Sequence, residues 1–289
     1  MAEGFWPGGR PGIDVTRPNP ARMYDYMLGG SSNFVIDRDA VNAIRAVMPD
    51  VDLAAWANRS FHQRVARWMA REGIRQFVDI GCGLPTVSNT HDVVQAVDRA
   101  CRVLYVDHDP VVVPHALMLA RAGNTSVMLG DIRDPDALLG CLRVDRLIDL
   151  SQPVGLLCTA VLHFVADRDD PWRCVLRLVD ALAAGSYLAL SHITGDQVPP
   201  ETISTGVKVY ECAAEQIYPR SVAEVERFFA GLELIPPYPG ADPEVFHIGL
   251  WGAEDPEAAD DASSRVWWAG VGRKLNRPVR YGGYVWAGW

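Results

Sequence analysis

The chain reads as an α/β protein: a doubly wound, mostly parallel seven-stranded sheet with an antiparallel hairpin at one edge and a helical cap made by its N-terminal residues. Three observations predict this. Five short apolar runs, at 76–81, 102–107, 126–130, 154–159 and 187–193, alternate with helical patterns near 92–100, 111–121, 134–142 and 172–184, the pattern of a parallel sheet with helices on both faces. The first three runs each carry an aspartate at or just beyond the end: Asp79, Asp107 and Asp131. Two further strand-like runs, 232–235 and 245–251, follow one another with only the Pro-rich stretch 236–243 between them, which predicts an antiparallel pair.

Residues 1–20 are punctuated by Pro7-Gly8-Gly9, Pro11-Gly12 and Pro18-Asn19-Pro20, which break both periodicities and predict a mobile arm. Residues 21–73 predict the cap: helix from Ala21, a break at Gly29-Gly30-Ser31-Ser32-Asn33, a short helix over 39–48, and a long one capped by Asp50 or Asp52 and ended by Gly73. That long helix has Leu53, Trp56, Ala57, Ser60, Phe61, Val65, Trp68 and Met69 at the spacing of one face. Pro114 falls inside the helical run after Asp107 and predicts a displaced helix start. Ser221-Val222-Ala223-Glu224 has the spacing of a capping box. The sheet domain is read as 74–254, and 255–289 as an acidic linker with a Gly- and aromatic-rich tail.

Composition excludes several classes of function. A net charge of −9, from 27 basic and 36 acidic residues, repels polyanions, and no basic run neutralises a row of phosphates, so a nucleic-acid partner is not expected. The longest apolar stretch, 154–165, is too short to span a bilayer and the first residues lack the pattern of a leader, so no membrane role is expected and the protein reads as cytoplasmic. Six cysteines stand without a C-x-x-C pair; they predict small buried hydrophobes and no metal site.

Chemistry concentrates at the strand ends. The first strand runs into Asp79-Ile80-Gly81-Cys82-Gly83, where glycines permit a tight turn and close approach of a ligand. Thr86 stands where a dinucleotide fingerprint needs its third glycine, which weakens a pyrophosphate site. Asp107 lies 28 residues after Asp79 and suits a ribose, whose two hydroxyls a carboxylate accepts. In Gly130-Asp131-Ile132 the carboxylate can accept from an adenine amino group while the N–H of Ile132 faces a ring nitrogen. Together they describe a nucleoside site.

With these residues in view, the chain resembles the S-adenosylmethionine-dependent methyltransferases of the Rossmann-like class, and among them an actinobacterial family formerly catalogued as a domain of unknown function. The resemblance covers residues 18–274 and rests on 21–30 (ARMYDYMLGG), Asn58-Arg59, 79–86 (DIGCGLPT), Tyr105-Val106-Asp107, Gly130-Asp131, Pro219-Arg220-Ser221 and Phe228-Phe229. It implies S-adenosylmethionine as cofactor, with Gly81 and Gly83 cradling the methionine part, Asp107 on the ribose and Asp131 by the adenine. Asp79, Cys82, His108, Gly130, Ile132 and Thr159 complete the expected cofactor set, with Tyr24, Gly30 and Arg59 from the cap. The acceptor is expected to be a small molecule.

Catalytic candidates are few, because methyl transfer is an in-line displacement that needs positioning first and a base only if the acceptor loses a proton. Tyr26 and His163 are the candidates. Two rival readings remain open at this level: a non-catalytic module that binds S-adenosylmethionine, and a nicotinamide-dependent oxidoreductase.

Overall fold

The computed structural model describes residues 13–86, 88–110, 112–117 and 123–276, with the backbone of 280–281 and 284–285. The cap begins at Asn19, whose side chain accepts from the N–H of Arg22 and starts helix α1 (Pro20–Met27). Arg22 pairs with Asp37 at 2.8 Å, both side chains buried, and so ties α1 to α2 (Val35–Arg45). Its other nitrogens donate to the carbonyls of Asp14 and Arg17, so residues 13–19, part of the expected mobile arm, are held down; residues 1–12 lie outside the described residues. Asp25 receives the N–H of Ser32 and the amide of Asn33. A Cβ on Gly30 would stand 2.0 Å from that carboxylate, which is why the turn needs glycine.

Helix α3 (Val51–Arg71) is the longest and starts at Asp50. Its buried stripe is Val51, Ala54, Ala55, Asn58, Phe61, His62, Val65, Ala66, Met69 and Ala70, whereas Leu53 and Trp56, expected on that face, are 57% and 40% exposed. Hydrophobicity alone misphased the helix, because its inner face carries alanines and two polar residues that turn toward a cavity.

Five parallel strands follow: β1 (Gln76–Ile80), β2 (Arg102–Asp107), β3 (Thr125–Leu129), β4 (Gly155–Thr159) and β5 (Tyr187–Ile193). They lie in the order β3-β2-β1-β4-β5, so successive crossovers run outward from β1 in one direction and from β4 in the other. A crevice opens at the carboxyl ends where that order reverses. Helices α4 (Thr90–Gln95), α5 (Val112–Leu117), α6 (Pro135–Val144) and α7 (Pro171–Ala181) supply the crossovers. Pro114 sits in the first turn of α5, where an absent N–H costs no helical hydrogen bond; residues 111 and 118–121 of the expected helix lie outside the described residues. Helix α8 (Pro200–Glu211) follows β5 and has no buried residue, and α9 (Val222–Glu226) starts at the expected capping box of Ser221 and Glu224.

The antiparallel edge is present but is not a hairpin. The two runs form β6 (Glu233–Leu234) and β7 (Phe246–His247), which do not pair with each other; both pair with β8 (Trp267–Arg273). Strand β8 lies antiparallel to β5 along its whole length. Because β6 meets Gly272 and Arg273 while β7 meets Trp268 and Ala269, the two halves lie end to end as one interrupted strand. The segment between them holds Pro236, Pro237 and Pro239, which cannot donate to a ladder. A short helix, α10 (Pro256–Ala259), leads into β8, so residues expected to form linker and tail contribute a sheet strand. Beyond it β9 (Arg280–Tyr281) and β10 (Tyr284–Val285) make a small antiparallel pair.

One core fills the sheet face under α6, α7 and α9, the other lies under α3 and α4 and includes Trp267, while the cap has its own cluster of Met23, Met27, Val41, Ile44 and Val51. Cys101, Cys158 and Cys174 are buried as expected, but Cys141 and Cys212 are exposed.

Candidate functional site

A cavity of about 470 Å³ opens at the carboxyl ends of β1 to β5, walled by the cap on one side and by α8 and Trp267 on the other. Roughly 300–1,000 Å³ is usual for small-molecule sites. Of the residues singled out from sequence, Tyr24, Arg59, Asp79, Gly81, Cys82, Gly83, Asp107, His108, Asp131, Ile132, Thr159 and His163 line it. Three do not belong to this wall. Gly30 forms the cap turn beside Asp25, and a Cβ on Gly130 would press on Leu138 and Val106, a matter of packing. Tyr26 lies under the Arg45 guanidinium, 4.6 Å from its ring centre, on the outer side of the cap.

At the end of β1 the chain reverses through Gly81 and Gly83, both with positive φ. A Cβ at Gly81 would stand 2.4 Å from Val161, whereas one at Gly83 would meet nothing within 4 Å. Asp79 turns inward and accepts from Thr90 Oγ1 at 2.6 Å. His62 contacts Thr90 through Nε2 at 2.7 Å and Thr159 through Nδ1 at 2.8 Å. Burial pushes Asp79 up to about 6 and His62 down to about 3. With the Thr90 hydroxyl given to Asp79, the neutral imidazole donates from Nε2 and accepts at Nδ1 from Thr159. This buried chain ties β1, α3, α4 and β4 together in the cavity wall.

Asp107, only 6% exposed, receives the N–H of Gly83 at 2.9 Å on one oxygen and the N–H of Asp109 at 3.0 Å on the other. Burial nevertheless raises its pKa, with those two hydrogen bonds opposing. Half-buried Cys82 lies alongside, its thiol pushed up by burial and by the Asp107 and Asp79 charges, so it stays neutral. At the end of β3, burial works to raise Asp131, but Arg133, bonded through both its N–H and its guanidinium, outweighs it and holds the carboxyl below its usual value. Glu215, from the stretch after α8, joins this end: it accepts from His108 Nε2 at 3.0 Å and lies 3.7 Å from Arg133. The Glu215 hydrogen bond raises the His108 pKa.

The cap is locked to the sheet by a second polar chain. The N–H of Ala160 donates to Ser191, whose hydroxyl donates to Asn58 at 2.6 Å. The Asn58 amide donates to Tyr24, which donates to the carbonyl of Ala55. Burial pushes the Tyr24 phenol up to about 12, so it holds position as a neutral group. Arg59 donates to the carbonyl of Ser88, reaching over the β1 turn.

After β4, Ala160 adopts a left-handed conformation with φ 54°, which turns the chain so that Val161 and His163 face the cavity. His163 is 4% exposed, and its Nδ1 has no hydrogen-bond partner among the described residues. Behind it Arg220, 2% exposed, donates to the carbonyls of Leu162 and Val165, to His192 Nε2 and to Asp167. Sequence reasoning missed His62, Asn58, Thr90, Ser191 and Glu215 altogether and gave Arg220 no role. Asn58 and Arg220 stood inside motifs that carried the resemblance; the others gave no signal of their own.

The comparisons decide what the cavity serves. A family profile described as S-adenosyl methyltransferase matches residues 8–275. The chain belongs to that family. This methyltransferase is similar to a protein of the DUF574 family from Streptomyces avermitilis, with 34% identity, a TM-score of 0.83, and 91% of this chain and 100% of that one covered. It is similar also to a candidate methyltransferase from Thermobifida fusca, with 36% identity, a TM-score of 0.82, and 93% and 99% covered. No curated protein matches the chain. The enzyme depends on S-adenosylmethionine, and its residues suit that cofactor: the open space at Gly83 and the buried, backbone-oriented carboxylate of Asp107 adjoin on one wall. Family membership overturns the nicotinamide reading and the non-catalytic one.

Proposed function

We propose that the enzyme methylates a small-molecule acceptor held in the same cavity as the donor, and that the strand ends divide the work. Asp107 accepts the ribose hydroxyls, Asp131 and the N–H of Ile132 meet the adenine, and Gly81, Cys82 and Gly83 cradle the methionine part. Thr159, His108, Tyr24 and Arg59 complete the wall. When bound, the cofactor supplies an activated methyl group on a sulfonium. The protein's part is to orient the two reactants and to exclude water, which the cap over 21–73 and α8 do from opposite sides. The observation that carries this reading is the Asp107 carboxylate, with both oxygens fixed by backbone N–H groups in the cavity wall. The same reading makes the enzyme cytoplasmic: all six cysteines are free thiols, which suits a reducing compartment. No helix among the described residues is long and apolar enough to cross a membrane.

Calorimetric titration with S-adenosylmethionine, S-adenosylhomocysteine and NAD tests the donor site. Micromolar binding of the first two and none of NAD is expected; absence of binding by either sulfur nucleoside would overturn the assignment.

A further inference from the structure

The wall contributed by the chain after Thr159 differs in character from the strand ends assigned to the donor; the N-terminal segment adds Asp14 beside Arg17, Arg22 paired with Asp37, and Asp25 bonded to Ser32 and Asn33. Apart from Glu215, engaged by His108 and Arg133, the lining residues after Thr159 include no ionisable side chain other than His163 and Tyr210. Aromatic rings gather there: His163 lies 4.3 Å from Phe164 and 5.8 Å from Trp267 between ring centres, and Phe164 lies 5.9 Å from Tyr210. A buried imidazole nitrogen without a partner is costly unless a ligand satisfies the ring. Arg220 stands behind, bonded to His192 and to the carbonyls of Leu162 and Val165 that flank His163. Arg220 is itself paired with Asp167 at 2.7 Å, so it presents no net charge to a ligand, and a ligand ion of either sign would be desolvated among aromatic rings.

We infer that the acceptor is an uncharged aromatic molecule bearing a hydroxyl, and that His163 is the catalytic residue that binds this hydroxyl and takes its proton. This deepens the reading above and rests on it. As the acceptor oxygen forms its bond to the methyl carbon, the sulfur–methyl bond breaks with its electron pair left on sulfur, and the hydroxyl proton passes to the unprotonated ring nitrogen of His163. The products are an aryl methyl ether and S-adenosylhomocysteine, and the imidazolium later returns its proton to solvent. Burial, then the neighbouring His192 and Arg220, hold the His163 pKa well below its usual value. The free imidazole is therefore neutral at pH 7, and its low basicity suffices because the hydroxyl becomes strongly acidic as its oxygen bonds the methyl carbon. An aryl hydroxyl, with a pKa near that of tyrosine at about 10, needs such a base, whereas a neutral amine does not.

The test uses 2-naphthol, 2-naphthoate and 2-naphthylmethylammonium, three probes of similar shape and different charge. Each is titrated into wild-type enzyme saturated with S-adenosylhomocysteine, and turnover with S-adenosylmethionine is followed as release of S-adenosylhomocysteine and of the methyl ether. Naphthol is expected to bind at least about tenfold tighter than either charged probe. His163→Gln, which accepts a hydrogen bond but is no base, should bind naphthol within about threefold of wild type and turn over at least about a hundredfold more slowly. His163→Ala should weaken naphthol binding by about tenfold while donor affinity stays unchanged. Equal or tighter binding of a charged probe, no naphthol binding to the loaded enzyme, or wild-type turnover by His163→Gln would overturn the proposal. Donor binding is measured first without any naphthol, so its failure strikes the donor assignment and is read separately.

Discussion

At the scale of single residues, the proposed donor site turns on Asp107. Replacing it by Ala removes the acceptor of two backbone N–H groups and the proposed ribose anchor, so affinity for S-adenosylhomocysteine should fall at least about tenfold, the equivalent of some 1.4 kcal/mol. Calorimetry reads this directly, and unchanged affinity would remove Asp107 from the ribose. Gly81→Ala should be worse for the fold than for any one contact. It places a Cβ 2.4 Å from Val161 at a φ of +69°, and a loss of about 1–3 kcal/mol in urea unfolding is expected. Asp107, Asp131 and the Gly81–Gly83 turn were legible in the sequence because strand ends in an α/β alternation have a fixed address. His62, Thr90 and Ser191 were not, since their work depends on which residues from distant segments meet them. Asp79 was legible as a position, yet its carboxylate is taken up within the wall by Thr90, with His62 3.6 Å away.

At the scale of elements, the cap depends on the buried pair Arg22–Asp37. Arg22→Met alone leaves Asp37 charged and buried with the N–H groups of Asn19 and Phe34 as its remaining polar contacts, and should destabilise the cap by about 3–5 kcal/mol. Faster amide exchange in α1 and α2 than in β1 and β4 is the expected signature. Removing both charges as Arg22→Met with Asp37→Leu should recover part of that loss, because the double variant leaves no unpaired charge but takes the acceptor from the N–H groups of Asn19 and Phe34. Full loss in the double variant as well would assign the effect to packing. Element type was read correctly through the five-strand series. The edge was not, because two consecutive strand patterns do not reveal whether the chain turns back or continues past an excursion. Only the partner strand β8, hidden in a stretch with no period, settles which it does.

At the scale of the whole molecule, pH dependence follows from buried neutral histidines. Burial holds His62 and His192 at about 3. Each folded-state pKa lies below the unfolded value near 6.5, so the unfolded chain takes up the protons first, and stability is lost as pH falls below about 6.5. Between pH 7.5 and 5.5 the two together cost about 3 kcal/mol. Asp79, raised to about 6 by burial, acts in the opposite sense. Its buried charge destabilises the fold above that pH, and protonation relieves slightly under about 1 kcal/mol over the same interval. A net loss of about 2 kcal/mol between pH 7.5 and 5.5 is expected from these groups in urea melts, with about 1.4 kcal/mol more from His163, which burial also holds well below its usual value; a flat or rising profile would contradict the neutral, buried state of these histidines.

Strand β8 also sets a timetable for the molecule. It slots between β5 and the interrupted edge strand, and Trp267 donates from its indole to the carbonyl of Ala54, 213 residues earlier. A chain emerging from the ribosome has the β1–β2–β3 ends and their carboxylates long before this indole arrives. Contacts of such sequence separation form late and slowly. The strand ends proposed for the donor are therefore synthesised first, and the wall that closes the chamber can be completed only when β8 pairs with β5.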